Sequence, residues 1–312
     1  MVVRLMALEA SRFDDWRRET RSRLISLRQD SGMLVGEDAV RHADAFLDQL
    51  LAEGHGTRTS RILSVLEDES ELGTIWLGVS ADRLFIVDFR ATEPFDDTQL
   101  DQLFALVREI ASDMGASRIS AGVYAHDDAG RGLIEGRGFT LASIQMVLEP
   151  LPERHASPRI DVLPMTAERF PSFAAASEEG FAKDLVASGR YSPSDARAES
   201  HRQISLELPE GADTPGQELF TGIVDGVEVG ILWLGMRTRD GRPHAFILDI
   251  EVAESERRKG YGRELMYAAE REARRLGADS IGLHVFGFNA GAIHLYEDLG
   301  YRRVEESYHL DL

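Results

Sequence analysis

The clearest pattern in the chain is a mostly apolar run followed by a basic, glycine-containing stretch and then by a helical periodicity. Residues 245–252 are mostly apolar, which is typical of a central strand. Arg257-Arg258-Lys259-Gly260-Tyr261-Gly262 follows, and apolar residues then recur at helical spacing as far as Leu276. The pattern predicts a strand, a tight turn and a helix in succession.

The residues around this stretch predict an alternation of strands and helices. A hairpin is expected around Asp225-Gly226, because this pair between apolar runs favours a tight turn. In the second half, strands are predicted at 161–164, 219–224, 230–236, 245–252 and 280–285, and helices at 167–189, 193–208, 262–276 and 290–299. This order indicates an α/β fold in which helices cover a mixed sheet.

An internal repeat in the chain is long enough to be a whole domain. Gly73-Thr74-Ile75-Trp76-Leu77-Gly78 returns 157 positions later as Gly230-Ile231-Leu232-Trp233-Leu234-Gly235, and Gly138-Phe139 returns 162 positions later as Gly300-Tyr301. A stretch from Pro150 to Pro158 is the expected connector. We therefore predict two tandem domains, at 1–152 and 153–312, each with a mixed, mostly antiparallel sheet flanked by helices.

The basic turn at residues 257–262 is a candidate anion-binding site. Glycines let the backbone approach a ligand, and the free N–H groups of a following helix favour a negative group. The spacing matches neither Gly-x-x-x-x-Gly-Lys-Ser/Thr nor Gly-x-Gly-x-x-Gly, which are the two familiar phosphate loops. A phosphate or pyrophosphate is the expected guest, and a solvated basic face is the alternative.

Composition narrows the classes of partner. The chain has 312 residues, 43% hydrophobic and 29% charged, which is typical of a globular protein. Its net charge of −19 disfavours nucleic acid and anionic membranes as partners, although surplus acid can also simply favour solubility.

The absence of cysteine and of long apolar segments excludes several kinds of chemistry and location. The chain has no cysteine, so it cannot form a disulfide, a thiolate metal site or a covalent cysteine intermediate, and we predict no metal. Residues 1–10 lack the apolar run of a secretory signal, and no uninterrupted apolar stretch approaches eighteen residues. A cytoplasmic location is expected.

Four separated features of the second half together resemble the GCN5-related N-acetyltransferase (GNAT) superfamily. They are the turn at 257–262 after a strand ending in Val252, the helix ending at Leu276-Gly277-Ala278, the segment Leu283-His284-Val285-Phe286-Gly287-Phe288-Asn289, and Ala292 to Tyr296 leading into Leu299-Gly300-Tyr301. The resemblance implies the GNAT fold and an acetyl-CoA-dependent N-acetyltransferase. In a bacterial subgroup that the chain also resembles, histidines usually stand at the positions of Gln217 and Phe288, so an acceptor-site role for those histidines does not carry over.

The resemblance assigns acetyl-CoA, as a co-substrate, to the second half. In the family, the turn binds the pyrophosphate through backbone N–H groups, and a bulge in the preceding strand lets the backbone pair with the pantetheine arm. Asn289 matches a family asparagine that caps the next helix near the cofactor, although an N-cap asparagine is also expected without a ligand. The predicted cofactor-binding residues are Ile250, Val252, Arg257, Arg258, Lys259, Gly260, Tyr261, Gly262, Arg263, Asn289, Ala292 and Tyr296.

The resemblance also suggests catalytic residues. Tyr296 matches the family tyrosine that protonates the departing thiolate, and a core role is the alternative. His284 is the first candidate for the general base, because an imidazole with an ordinary pKa of about 6.5 suits that task, and a structural histidine is the alternative. Glu251 is the second candidate. Asp249, which is repeated as Asp88, is interpreted as structural.

The first half serves as an internal comparison. Its turn reads Glu93-Pro94-Phe95-Asp96-Asp97-Thr98, in which proline removes a donor and three carboxylates repel a pyrophosphate. Asp127, Ile134 and Gly122 stand at the positions of Asn289, Tyr296 and His284. We predict that the first half keeps the fold without binding coenzyme A.

The leading hypothesis is direct transfer of an acetyl group from acetyl-CoA to a primary amine by the second half, in a ternary complex. The alternative is a non-catalytic module that binds or senses acyl-CoA. Segments 178–191 and 211–220 are expected to select the acceptor, and small amines, antibiotics, amino acids and proteins all remain open. A monomer or a homodimer is expected.

Overall fold

The computed structural model describes residues 2–80, 82–154, 159–189 and 191–312. Residues 155–158 of the predicted connector and Arg190 in the predicted acceptor segment lie outside the described residues. The chain divides into two compact units, which we call the N-terminal unit (Met1–Ile144 with Arg303–Leu312) and the C-terminal unit (Gln145–Arg302). This division differs from the predicted boundary after residue 152, because the last ten residues group with the N-terminal unit.

The described residues of the first part of the chain form six strands and four α-helices. In chain order they are β1 (Val3–Ala7), α1 (Phe13–Ser31), α2 (Gly36–Leu50), β2 (Ser60–Glu67), β3 (Ser70–Ser80), β4 (Arg83–Ala91), α3 (Asp97–Asp113), β5 (Arg118–Tyr124), α4 (Asp128–Ile134) and β6 (Thr140–Leu148).

The second part repeats this succession. In chain order its elements are β7 (Asp161–Pro164), α5 (Phe170–Ala187), α6 (Pro193–Glu207), β8 (Gln217–Val224), β9 (Val227–Arg239), β10 (Arg242–Val252), α7 (Tyr261–Arg275), β11 (Ser280–Phe286), α8 (Ala290–Asp298) and β12 (Arg302–Asp311).

Each unit is built on a mixed sheet. In the N-terminal unit the strand order is β1-β2-β3-β4-β5-β12-β6, and β4 pairs with β5 in parallel. In the C-terminal unit the order is β11-β10-β9-β8-β7, in which β10 and β11 are parallel and the other pairs antiparallel. Helices flank both sheets, so the predicted fold class is confirmed.

The last strand, β12, completes the sheet of the N-terminal unit. It runs antiparallel to β5, from Glu305 opposite Tyr124 to Asp311 opposite Arg118. Nη2 of Arg131 lies 2.6 Å from the buried carboxylate of Glu306, which ties this strand to α4.

The repeat is explained by matched packing in the two units. Trp76 packs edge-on against Trp16 with ring centroids 5.5 Å apart, and Trp233 packs in the same way against Phe173 at 5.9 Å. All four rings are buried, so the repeated tryptophan anchors the helix face to the sheet in each unit.

The repeated glycine before each tryptophan has a steric cause. A Cβ atom at Gly73 would lie 2.1 Å from the carbonyl oxygen of Arg90, and one at Gly230 would lie 2.3 Å from that of Glu251. Because no side chain fits at these distances, only glycine lets the neighbouring strands approach there.

Candidate active site

In the C-terminal unit, β10 stops pairing with its parallel neighbour β11, and we call the gap beyond that point the cleft. Pairing with β11 ends at Ile247 opposite Leu283, so residues 248–252 have no partner strand on that side among the described residues. The pairing of β10 with β9 shifts at Leu248, which is the extra residue of a β-bulge. The predicted bulge is therefore present, and the edge of β10 beyond it offers backbone groups to a ligand.

The basic turn joins β10 to α7 through two left-handed residues. Arg258 has a φ of 63° and Gly260 a φ of 89°, and α7 begins at Tyr261 with no side-chain cap. Within the described ranges, the backbone N–H groups of residues 258–262 donate to no protein acceptor. Together with the helix dipole, these donors form a site suited to a phosphate group.

Five basic residues stand in or close to this turn. Arg257 lies 3.3 Å from Glu251, Lys259 lies 2.9 Å from Glu256, and Arg263 lies 3.1 Å from Asp298. These pairs lie at least partly in solvent, where an ion pair contributes little, so the cations can turn to an anionic ligand at small cost. The other two cations are Arg258 and Arg159.

Arg159 is a member of this group that sequence reasoning missed. Its Nη1 lies 3.6 Å from the position that a Cβ atom would occupy at Gly260. It precedes the turn by about a hundred residues, and no local spacing relates the two.

Helix α8 supplies the next two predicted residues. The side chain of Asn289 accepts a hydrogen bond of 3.2 Å from the backbone N–H of Ala292, as expected of an N-cap. One face of α8 carries Tyr296, which is buried at 8% exposure. Burial, with a contribution from the carboxylate of Asp249, raises the pKa of Tyr296 to about 12, so its phenol is protonated at neutral pH.

Asp249, immediately after the bulge, is the carboxylate that influences the pKa of this tyrosine. Its carboxylate accepts hydrogen bonds from Ser177 Oγ on α5 and from the backbone N–H of Ile250. The pKa of Asp249 is raised to about 6, chiefly by burial and also by the carboxylates of Glu251 and Asp184, while the hydrogen bonds from Ser177 and Ile250 oppose this rise. Sequence reasoning interpreted this residue as structural because it recurs as Asp88.

The two predicted base candidates both lie in more open surroundings. His284 is exposed and contacts Phe286 edge-on with ring centroids 5.4 Å apart. Glu251 is exposed and pairs with Arg257. The charged group that perturbs the pKa of Tyr296 is Asp249.

The remaining predicted residues pack around the cleft. Ile250, Val252 and Tyr261 are half-buried against Leu265 of α7. A Cβ atom at Gly262 would lie 3.5 Å from Leu295, so the first turn of α7 packs against α8. Gln217 accepts a 2.7 Å hydrogen bond from the indole of Trp233, and Phe288 is exposed and stacks on Phe286.

In the N-terminal unit, an arginine of the chain itself pairs with groups at the equivalent position. Pairing of β4 with β5 ends at Ile86 opposite Ala121, and a small cavity lies beyond. The guanidinium of Arg23 enters this opening and donates to the carboxylate of Asp88 at 3.0 Å, to the carbonyl of Phe89 at 3.0 Å and to the carboxylate of Asp127 at 2.7 Å.

The helix that follows β4 is capped by a carboxylate. Asp96 accepts a 2.8 Å hydrogen bond from the backbone N–H of Gln99 and forms a capping box with that residue. The helix terminus equivalent to α7 is therefore occupied by a negative charge from the protein itself.

Two features of the described residues bear on other classes of function. No group of three or more His, Asp or Glu residues stands in an arrangement that could hold a metal ion in the described part of the chain. None of the helices in the described ranges is long and apolar enough to cross a membrane.

Comparison with known proteins identifies the family. The profile of the acetyltransferase (GNAT) family matches residues 181–301. Two uncharacterized N-acetyltransferases of Bacillus subtilis, YycN and YdgE, are similar to this chain. YycN is 31% identical over 147 residues, which cover 47% of this chain and 94% of YycN. YdgE is 32% identical over 138 residues, which cover 44% of this chain and 88% of YdgE. A GCN5-related N-acetyltransferase from Sphaerobacter thermophilus shares the fold over 99% of this chain and 95% of its own, at 15% identity and a TM-score of 0.53.

These matches define an enzyme of the N-acetyltransferase class. The chain belongs to the GNAT family, as its motifs predicted.

Proposed function

We propose that the C-terminal unit transfers an acetyl group from acetyl-CoA directly to a primary amine within a ternary complex. The observation that carries the proposal is the row of N–H donors without a protein acceptor at residues 258–262. They lead into the first turn of α7, which packs against α8, the helix that carries Tyr296. These donors and the surrounding cations suit the pyrophosphate, and the unpaired edge of β10 suits the amides of the pantetheine arm.

Direct transfer is supported by the composition of the chain and by the state of Tyr296. The chain has no cysteine to carry an acyl group. A phenol with a raised pKa remains protonated at neutral pH, so Tyr296 can donate a proton to a departing thiolate. Acetyl-CoA supplies the activated acetyl group, and the residues of the cleft orient it and move protons.

An amine acceptor is supported by the charges beside the cleft. Burial raises the pKa of Asp249 and of Asp184, and the carboxylate of Glu251 raises both as well. A positively charged amine lowers the cost of holding these carboxylates together, whereas an anionic acceptor increases it.

We further propose that the N-terminal unit does not bind coenzyme A. Arg23 occupies its cleft, Asp96 caps the helix at its turn, and Pro94 removes a backbone donor. The two units then share a fold, and acetyl transfer is carried out by the C-terminal one.

The test is release of free coenzyme A from acetyl-CoA in the presence of a panel of amines, with the acetylated product identified by mass spectrometry. The chain has no thiol of its own, so a thiol reagent reports coenzyme A without background from the protein. Amine-dependent release is expected. Tight binding of acetyl-CoA with no release for any amine would instead identify a binding module.

A further inference from the structure

The same aspartate position behaves differently in the two units. Asp88 and Asp249 each follow the bulge of their strand, opposite Trp76 and Trp233. In the N-terminal unit, Asp88 pairs with the guanidinium of Arg23 at 3.0 Å. In the C-terminal unit, the described groups that shift the pKa of Asp249 are Ser177, Asp184, Glu251 and the Ile250 N–H, and no ion pair with a cation is found for Asp249 among the described residues.

The position equivalent to Arg23 is open in the C-terminal unit. The Trp16–Phe173 equivalence is 157 positions, and the same offset relates Arg23 to Gly180. A Cβ atom at Gly180 would meet nothing within 4 Å. Gly180 lies on α5 three residues from Ser177, which contacts Asp249, so both residues lie on the face of α5 turned to that carboxylate.

We propose that Asp249 binds the ammonium group of the acceptor and accepts its proton, in the space that Gly180 leaves open and that Arg23 fills in the N-terminal unit. The inference rests on the proposed acetyl transfer. It names the chemical class of the acceptor, a protonated amine, and assigns the base to a residue other than His284 or Glu251.

The proton balance of the reaction can be written with these residues. Asp249 takes one proton from the ammonium and releases it to solvent after turnover. The free amine nitrogen forms a bond to the thioester carbonyl carbon, and the carbon–sulfur bond breaks. Tyr296 gives its phenolic proton to the sulfur and recovers one from the nitrogen, which becomes the amide nitrogen.

The position of Asp249 suits both tasks. With a pKa of about 6 it is ionised at neutral pH, so it can attract a cation and accept a proton. The hydrogen bond from Ser177 lowers the pKa of Asp249 and orients its carboxylate, which makes Ser177 a positioning residue.

The first experiment is the pH dependence of kcat/KM with an amine that the wild-type chain acetylates. We expect kcat/KM to fall on the acid side with an inflection near the pKa of Asp249, about 6. Asp249→Asn should lower kcat/KM about 100- to 10,000-fold and abolish that inflection, while the Kd for acetyl-CoA stays within a few-fold. Ser177→Ala should move the inflection to higher pH, because it removes a donor to the charged form.

Matched variants decide between this assignment and its rivals. Asp88→Asn, at the equivalent position of the N-terminal unit, should leave the inflection in place. The proposal is overturned if Asp249→Asn keeps the wild-type rate and inflection, or if His284→Gln or Glu251→Gln removes the inflection instead. If the wild-type chain acetylates no amine, the proposed function fails, which is distinct from failure of this inference.

The second experiment introduces into the C-terminal unit the arginine that the N-terminal unit has at the equivalent position. Gly180→Arg should place a guanidinium near Asp249 and abolish turnover, without lowering the melting temperature, because arginine favours a helix more than glycine does. Gly180→Ala should lower turnover far less than Gly180→Arg, because its Cβ atom would meet nothing within 4 Å and it brings no cation. Full activity of Gly180→Arg would contradict the proposed location of the acceptor.

Discussion

Replacement of Arg23 by Met tests whether the ion pairs in the cleft of the N-terminal unit stabilise that unit. The side chains of Asp88 and Asp127 are 5% and 7% exposed, and that of Arg23 is 21% exposed. Burial lowers the pKa of the Arg23 guanidinium, but the two carboxylates outweigh burial and raise it. Removal of the cation leaves two buried charges unpaired, which typically costs about 3–5 kcal/mol.

The expected result is a large loss of thermal stability. For a unit of this size, each kcal/mol shifts Tm by about 2–4 °C, so we expect Arg23→Met to lower Tm by about 6–20 °C at pH 7. Scanning calorimetry of the full chain measures this shift. Arg23→Met combined with Asp88→Asn and Asp127→Asn should recover much of the loss, because neutral side chains tolerate burial better than unpaired carboxylates.

A small effect would refute this reasoning. If Arg23→Met lowers Tm by less than about 2 °C, the ion pairs contribute little and the cleft is not held closed by them. We also expect no binding of acetyl-CoA by the N-terminal unit of this variant, because Asp96 still caps the following helix.

Three further predictions concern the C-terminal unit. Tyr296→Phe should lower kcat about 100-fold or more and leave the Kd for acetyl-CoA within a few-fold; an unchanged kcat would remove Tyr296 from the acid role. Gly260→Ala forces a side chain into a φ of 89°, which costs about 1–2 kcal/mol, so calorimetric titration should show weaker acetyl-CoA binding. The control is Gly241→Ala, at a φ of 72° in the hairpin turn between β9 and β10, which should lower stability without changing the Kd for acetyl-CoA. Asp249→Asn should raise the free energy of unfolding at pH 8 by up to about 3 kcal/mol, because the pKa of Asp249 is raised from 3.8 to about 6 and the wild-type chain loses the corresponding stability as pH rises through 6. Urea unfolding at pH 8 and below pH 4 measures this, and an equal effect of the substitution at both pH values would contradict it.

Local elements were readily predicted from the sequence because their signals are local. Strand β7 has the predicted bounds Asp161–Pro164, and α7 covers Tyr261–Arg275 where 262–276 was expected. The hairpin turns at Asp225, with a φ of 50°, and Gly226, with a φ of 78°, as an Asp-Gly pair favours. Apolar periodicity and turn residues are sufficient for such assignments.

The pairing of the last strand could not be predicted in the same way. The alternation of side chains along β12 indicates which face of the strand is buried, but it does not indicate which sheet edge the strand joins. Its pairing with β5 depends on contacts between residues almost two hundred positions apart, such as Arg118 with Asp311 at 2.6 Å.

The cleft residues that sequence reasoning missed were missed for a similar reason. Arg159 reaches Gly260 from the start of the C-terminal unit, and Ser177 reaches Asp249 from α5. Asp249 was interpreted as structural because it recurs as Asp88, but recurrence of a residue does not reveal whether its partner recurs. The partner differs, because an arginine at position 23 corresponds to a glycine at position 180.

The stoichiometry of acetyl-CoA binding to the full chain tests the central claim most directly. Calorimetric titration should give one acetyl-CoA per chain, bound by the donors at residues 258–262 of the C-terminal unit. Two molecules per chain would show that the N-terminal unit also binds, and no binding would contradict the assignment of the turn to the pyrophosphate.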